Sequence, residues 1–170
     1  MFWKHPKFLH ILRIALPLLL TLLWLGFIFG NSLKDAQASS EQSGQVQEIV
    51  NNVASSVGVK EPISETTVRN MAHFTEFLVL GGLLCLDVWA LGLSPLRSRR
   101  RFDVLWLFVS LPVSFLLASI DEVLQTFSKG RAADFADVLT DTAGASLGIV
   151  LFLVLFLLLR LAFRKKKINT

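Results

Sequence analysis

Cysteine is almost absent from this chain. Among 170 residues only Cys85 occurs, inside an apolar run. A single thiol excludes an intrachain disulfide and a cysteine metal framework. Charged residues are also scarce, at 18% of the chain, whereas soluble domains contain about 25%. The composition therefore argues against an ordinary soluble domain.

The apolar residues form long stretches. They make up 53% of the chain, and the mean hydropathy is +0.58. A helix needs about 20 mostly apolar residues to cross a bilayer. Four stretches reach that length, and we predict transmembrane helices at 8–30, 71–93, 104–125 and 138–163. The sequence thus predicts one all-α membrane domain over residues 1–170, with four transmembrane helices in a bundle.

Basic residues are concentrated in three segments that alternate with the predicted spans. They are Lys4, Lys7, Arg13, Arg97, Arg99, Arg100, Arg101, Arg160, Arg164, Lys165, Lys166 and Lys167. Loops rich in Lys and Arg remain in the cytoplasm. We therefore expect both termini, the inner loop 94–103 and the tail 164–170 to be cytoplasmic, and the loops 31–70 and 126–137 to be outside. Because the basic residues flank spans, no nucleic-acid partner is expected.

A cleavable signal peptide is an alternative interpretation of the first span. A basic start, an apolar run and Ala36-Gln37-Ala38 are typical of such a leader. Cleavage would leave three spans. The apolar run is long for a leader, however, and the alanine pair lies well past its end, which favours a retained span.

The predicted outer loop 31–70 contains an amphipathic pattern. From 40 to 56, apolar residues recur at three- and four-residue steps, at Val46, Ile49, Val50 and Val53. We predict a short helix whose apolar face lies on the membrane surface or covers the bundle. Ser64, together with Thr66 and Thr67, is a suitable N-cap for the second span.

Polar residues gather at the outer ends of the spans, where burial in a membrane is costly and usually serves a function. The second span carries Arg69, His73 and Glu76 on one helical face. The third carries Asp121, Glu122 and Gln125, with Asp121 and Gln125 on a shared face. These residues could alternatively serve only to solvate the helix ends.

The fourth span begins after Arg131 with three aspartates at helical spacing, Asp134, Asp137 and Asp141. Acidic groups at a helix amino terminus are favoured by the helix dipole, so a capping role is an alternative for them. Gly144 and Gly148 form a small-xxx-small pattern that predicts close helix packing in lipid.

Several of these segments resemble the sequence pattern of the VanZ-like family of bacterial membrane proteins. The resemblance lies in their order, their spacing and the side of the membrane that they share. The resemblance covers most of the chain and rests on the segments 29–32, 38–44, 69–77, 121–125, 130–131, 137–138 and 144–148. Phe77 departs from the family pattern, where tyrosine is usual, and so does Asp141, where asparagine is more usual. The resemblance implies a multi-pass protein of the bacterial cytoplasmic membrane with a cell-envelope role, as in the accessory protein of teicoplanin resistance.

The expected function is to bind or remodel an envelope lipid, a lipid-linked precursor or a lipoglycopeptide at an outward-facing polar pocket. Guanidinium groups match phosphates and carboxylates. The candidate ligand-binding residues are Ser32, Arg69, Gln125, Arg131, Asp134, Asp137 and Asp141.

An alternative is an intramembrane hydrolase or transferase that acts on a lipid-linked substrate. In it, His73 is the general base, oriented by Glu76 or by a third-span carboxylate, and Asp121 or Glu122 is the acid. A coupled transporter and a pure scaffold are further alternatives. A metal site formed by His73 and the carboxylates is possible. We predict no cofactor, and no metal either, because the pairing His73-x-x-Glu76 is too common to indicate one.

Overall fold

The computed structural model describes residues 6–59, 61–91 and 105–168. In these residues it contains five helices and no strand, so the predicted all-α class is confirmed. The helices are α1 Pro6–Ser32, α2 Ala36–Ser56, α3 Glu65–Ala90, α4 Leu105–Gln125 and α5 Phe135–Ile168. The predicted inner loop with its arginines, Lys4 and the side chains of the basic tail lie outside the described residues.

Three helices of the described chain are long and apolar enough to cross a membrane. These segments are Phe8–Ser32, Glu65–Ala90 and Phe135–Leu159. Large apolar side chains remain exposed along α1 and α5, as expected where lipid replaces water as the solvent. The third predicted span, 104–125, coincides with α4. The count of four spans and the orientation of the termini remain predictions.

Two caps explain why helices begin earlier than their apolar stretches. The Asp35 side chain accepts a hydrogen bond from the Ala38 amide at 2.8 Å, so α2 begins at Ala36 rather than at residue 40. Ser64 accepts from the Thr67 amide at 3.1 Å, which confirms the predicted N-cap. The helix α3 therefore begins at Glu65, ahead of the apolar stretch that starts at 71.

The two faces of α2 have different surroundings. Gln47 and Asn51 donate to the Ile63 carbonyl oxygen at 2.8 and 3.3 Å, and Asn51 accepts from the Ile63 amide at 2.8 Å. The apolar side chains Val46, Ile49 and Val53 are exposed. The polar face thus holds the segment before α3. Val50 is half-buried, so the apolar face of α2 is largely but not wholly exposed within the described chain.

The bundle is built around α3, which packs against each of the other four helices and most extensively against α5. Glycines permit this approach: a Cβ at Gly144 would overlap the Phe74 carbonyl oxygen, and one at Gly148 would overlap that of Leu78. The predicted close packing at these glycines is confirmed. It brings the beginnings of α3 and α5 together, and with them the predicted polar residues.

Candidate functional site

Polar side chains from every helix meet at one end of the bundle, which we call the polar end. Here α1 and α4 end, and α2, α3 and α5 begin. Its members are Asn31, Ser32, Lys34, Gln42, Arg69, His73, Glu76, Asp121, Glu122, Gln125, Arg131, Asp137 and Asp141. The sequence had predicted that the helix ends carrying most of these residues lie on the same side of the membrane.

A buried pair of carboxylates lies at the end of α4. Asp121 is 0% and Glu122 is 2% exposed. The Gln125 side-chain amide donates to Asp121 at 3.2 Å and to Glu122 at 2.7 Å. Ser32 Oγ donates to the other Asp121 oxygen at 2.6 Å, and the Asp134 amide donates to Glu122 Oε2 at 2.7 Å. Each carboxylate is therefore held by its own helix and by one donor from another segment.

Arg131 joins the loop after α4 to the end of α1. Its guanidinium donates to Gln125 Oε1 at 2.6 Å and to the Ser32 carbonyl oxygen at 3.4 Å. Gly130 before it has φ +79°, a left-handed conformation that favours glycine. Burial lowers the pKa of Arg131 below its usual value, and the positive charge of Arg69 adds to this effect, while nearby carboxylates oppose it. An arginine remains charged in proteins, so this cation would gain from a bound anion.

The polar face of α3 carries Arg69, His73 and Glu76, as the spacing predicts, and all three line one cleft. Glu76 Oε1 accepts from Asn31 Nδ2 at 2.9 Å, and no described donor reaches its Oε2. His73 Nδ1 lies 3.9 Å from Asp121 Oδ2, too far for a hydrogen bond. Glu76 is thus hydrogen-bonded to Asn31 of α1, and the Nδ1 atom of His73 has no hydrogen bond that would orient its ring.

The three aspartates of the α5 region lie in different environments. Asp134 is exposed and accepts from the Ala136 amide at 2.8 Å, which fits a capping role. Asp137 is half-buried. Asp141 is only 1% exposed, and neither of its carboxylate oxygens has a hydrogen-bond partner among the described residues. Capping therefore does not account for Asp141.

A cleft of about 80 Å³ opens between α1, α2, α3 and the loop after α4. Its lining includes three cations, Lys34, Arg69 and Arg131. The other lining residues are Asn31, Ser39, Gln42, Ser43, Val46, Val68, Ala72, His73 and Glu76. The cleft is thus positively charged at its wall and has a histidine and a carboxylate beside it.

None of the three cleft cations forms an ion pair with a described carboxylate. Lys34 donates to two neutral oxygens, Asn31 Oδ1 at 2.9 Å and Gln42 Oε1 at 2.7 Å. Arg131 likewise has only neutral acceptors. The guanidinium of Arg69 has no hydrogen bond within the described chain. The cleft therefore presents three cations that no described carboxylate holds in an ion pair, while carboxylates farther away offset part of their charge.

The family model described as VanZ/LLP1 matches residues 17–166, which include the whole polar end. The chain belongs to the VanZ/LLP1 family. No curated protein and no solved structure matches it significantly. Family membership and the apolar helices together indicate a VanZ-like membrane protein of the cell envelope.

The polar end of this VanZ/LLP1 protein includes residues that the sequence analysis did not single out as site residues. Asn31 and Lys34 follow the first apolar stretch, and Gln42 lies on α2. All three residues follow the first span on the predicted outer side, where the other site residues also lie, and this position could have indicated them as site residues. Asn31 and Gln42 belong to the segments 29–32 and 38–44, both of which are part of the family resemblance.

One group of this VanZ/LLP1 protein has the donor atoms of a metal site. His73, Asp121 and Asp141 each offer a ligand atom, and these atoms lie within 4.8 Å of one another. The local pair His73-x-x-Glu76 within α3 is not the one that forms this group. Asp141 replaces Glu76 because the close approach of α3 and α5 brings it beside His73.

Proposed function

We propose that this protein binds the anionic head group of an envelope lipid, or of a lipid-linked precursor, in the cleft at the polar end. The three cations of the cleft, which lack carboxylate partners, are the observation that carries this proposal. Guanidinium groups form bidentate hydrogen bonds with phosphate. The unpaired Arg69 and the flanking Lys34 and Arg131 suit a phosphate better than a neutral ligand.

The size and surroundings of the cleft support a head group as the bound part. A volume of about 80 Å³ accommodates a phosphate but not a whole lipid. The acyl chains of the lipid would lie along the exposed apolar surfaces of the helices. A lipoglycopeptide could present its anionic groups in the same way, but its bulk fits the cleft less well.

The alternative of an intramembrane hydrolase or transferase has less support. General base catalysis needs an imidazole within reach of the substrate proton, and a hydrogen bond from a neighbouring group commonly orients the ring. His73 Nδ1 is 3.9 Å from the nearest Asp121 oxygen, and Glu76 is engaged by Asn31. We therefore propose binding as the function, and a part in envelope maintenance as its role.

The Arg69→Gln variant should bind anionic lipid more weakly. A hydrogen bond to a charged group contributes about 1.5–3 kcal/mol, so we expect the dissociation constant to rise about tenfold or more. The measurement is a titration of the purified protein in nonionic detergent with short-chain phosphatidic acid. Short-chain phosphatidylcholine serves as the ligand control because its head group has no net charge.

Lys129→Gln is the matched protein control, because Lys129 is an exposed cation at the same end of the bundle that does not line the cleft. It should bind phosphatidic acid as wild type does. Equal losses in the Arg69 and Lys129 variants would mean that general surface charge attracts the lipid. An unchanged affinity in Arg69→Gln would rule out the cleft as the binding site.

We further propose four spans, with α4 as the third to cross, in the bacterial cytoplasmic membrane, and both termini of the chain in the cytoplasm. The distribution of Lys and Arg supports this orientation. Lipid exposure of α4 also fits the exposed side chains Phe115, Leu116 and Val123. In this arrangement the cleft opens toward the outside of the cytoplasmic membrane.

Cysteine labelling should place the α2 region and the α4–α5 loop on the same side. In a Cys85→Ala background, Val53→Cys and Phe127→Cys are suitable positions because both side chains are exposed. An impermeant maleimide should label both in intact spheroplasts and should label Ser98→Cys only after permeabilisation. Labelling of Val53→Cys and Phe127→Cys from opposite sides would refute the proposed topology.

A further inference from the structure

Three side chains from three helices converge beside the cationic cleft: His73 of α3, Asp121 of α4 and Asp141 of α5. Each offers one ligand atom, and these atoms lie within 4.8 Å of one another. His73 Nδ1 and Asp121 Oδ2 are 3.9 Å apart. We propose that these three residues bind a divalent cation of the zinc class.

The unpartnered carboxylate of Asp141 is a second, independent observation that points to a bound ion. Its side chain is 1% exposed, yet both carboxylate oxygens lack a hydrogen-bond partner among the described residues. His73 Nδ1, which is also buried, lacks one as well. A buried carboxylate without a donor is costly and requires a cation or a proton. The unpartnered atoms of both residues belong to the same group of potential ligands, so one ion would satisfy them together.

The protein's own cations do not fill this role. Arg131 directs its guanidinium to Gln125 and the Ser32 carbonyl oxygen, and no described arginine or lysine forms an ion pair with Asp141 or Asp121. An acidic group buried among carboxylates is repelled by its neighbours unless positive charge is added. A bound divalent cation supplies that charge at the centre of the group.

The donor set favours zinc. One imidazole nitrogen and two carboxylate oxygens suit Zn²⁺, with metal–ligand bonds of about 2.0–2.2 Å. The ligand atoms must move closer together for such bonds, and no described hydrogen bond would have to break for the Asp141 carboxylate to do so. Asp121 is already oriented by Ser32 Oγ at 2.6 Å, the kind of outer contact that fixes a metal ligand.

Three protein ligands leave one coordination position open. His73 also lines the cleft, so this position borders the proposed head-group site. A phosphate oxygen bound between Arg69 and the metal would join the two sites. The metal site itself does not depend on lipid binding, and it is tested with the metal alone.

The test is a Zn²⁺ titration of wild-type protein that has been stripped with chelator in nonionic detergent, without added lipid. We expect about one equivalent per chain to remain after desalting, as for a structured metal site, and a rise in thermal stability as metal binds. Asp141→Asn and His73→Ala should each weaken binding at least about tenfold. Asp141→Asn keeps the shape of the side chain and removes its charge.

Asp87→Asn is the matched control, because Asp87 is also a buried carboxylate of the bundle, 6% exposed, but bonds to Thr21 Oγ1 at 2.7 Å away from this group. It should retain zinc as wild type does. Substoichiometric zinc in the wild type, or equal retention by Asp141→Asn, would overturn the metal site and leave the head-group proposal standing. If the variants do not fold, an unchanged wild-type melting temperature in Zn²⁺ overturns it.

Discussion

Gly148→Leu should prevent the bundle from assembling. A Cβ at this position would overlap the Leu78 carbonyl oxygen and lie 2.8 Å from its carbonyl carbon, so α3 and α5 could not keep their distance. The obstacle is backbone, which cannot rotate out of the way as a flexible side chain does. Overpacking usually costs about 1–3 kcal/mol, and a clash with backbone should exceed that range.

The clash in Gly148→Leu should weaken helix association more in a membrane than it would in water. Lipid tails solvate apolar helices as well as leucine side chains do, so helix association depends on close packing and interhelical hydrogen bonds. We expect little monodisperse protein from Gly148→Leu by size-exclusion chromatography in detergent. The loss should include the polar end, because α3 and α5 carry His73 and Asp141.

Gly26→Leu provides the matched control. Gly26 is also a glycine in a spanning helix, but a Cβ there would meet no heavy atom within 4 Å. The variant should yield protein as wild type does. Equal loss in both variants would mean that any bulky residue in a span is harmful. A well-folded Gly148→Leu would contradict the tight contact between α3 and α5.

The sequence could predict which residues share a face and an end of the bundle. Helical periodicity placed Arg69, His73 and Glu76 on one side of a helix, and all three line the cleft. Small residues at four-residue spacing predicted the packing at Gly144 and Gly148, which the structure confirms. Both inferences need only local geometry, which the order of residues determines.

The partners of these residues could not be predicted. Whether Asp141 or Glu76 lies nearest His73 depends on the rotation and depth of α5 against α3, which many packing contacts set together. The contact of Lys34 with Gln42 depends on the start of α2, which a single cap at Asp35 decides. The pattern of apolar residues alone placed that start later, because the first large apolar residue of α2 is Val46.

The same limit applies to Gln125. Sequence spacing placed Gln125 on the face of Asp121. Its hydrogen bonds with Glu122 and Arg131 depend on side-chain rotamers and on the path of the loop after α4. It is the one described side chain that contacts both buried carboxylates and a cleft cation. Its substitution should therefore affect stability and anion binding together.

Gln125→Leu should lower the free energy of unfolding by about 1–3 kcal/mol, the usual cost of removing a hydrogen-bond partner from a buried polar group, and by more where the group is charged. Asp121 and Glu122 would each lose a donor, and Arg131 would lose its acceptor at 2.6 Å. Leucine is similar in size, so lost polar partners rather than a cavity account for the effect. The measurement is unfolding by detergent titration, followed by the phosphatidic acid titration on the folded fraction.

Two further variants separate this cause from simple loss of packing. Thr126→Val changes an exposed residue just past α4 whose hydroxyl donates only to the Val123 carbonyl oxygen of α4, and it should have little effect on stability. Adding Glu122→Gln to Gln125→Leu should recover part of the stability, because a neutral amide is less costly to bury than a carboxylate that has lost one of its two donors. A double variant that is no more stable than Gln125→Leu would show that the hydrogen-bond network does not stabilise the polar end. Recovery of stability without recovery of lipid affinity is the expected pattern, since Arg131 would still lack its Gln125 acceptor.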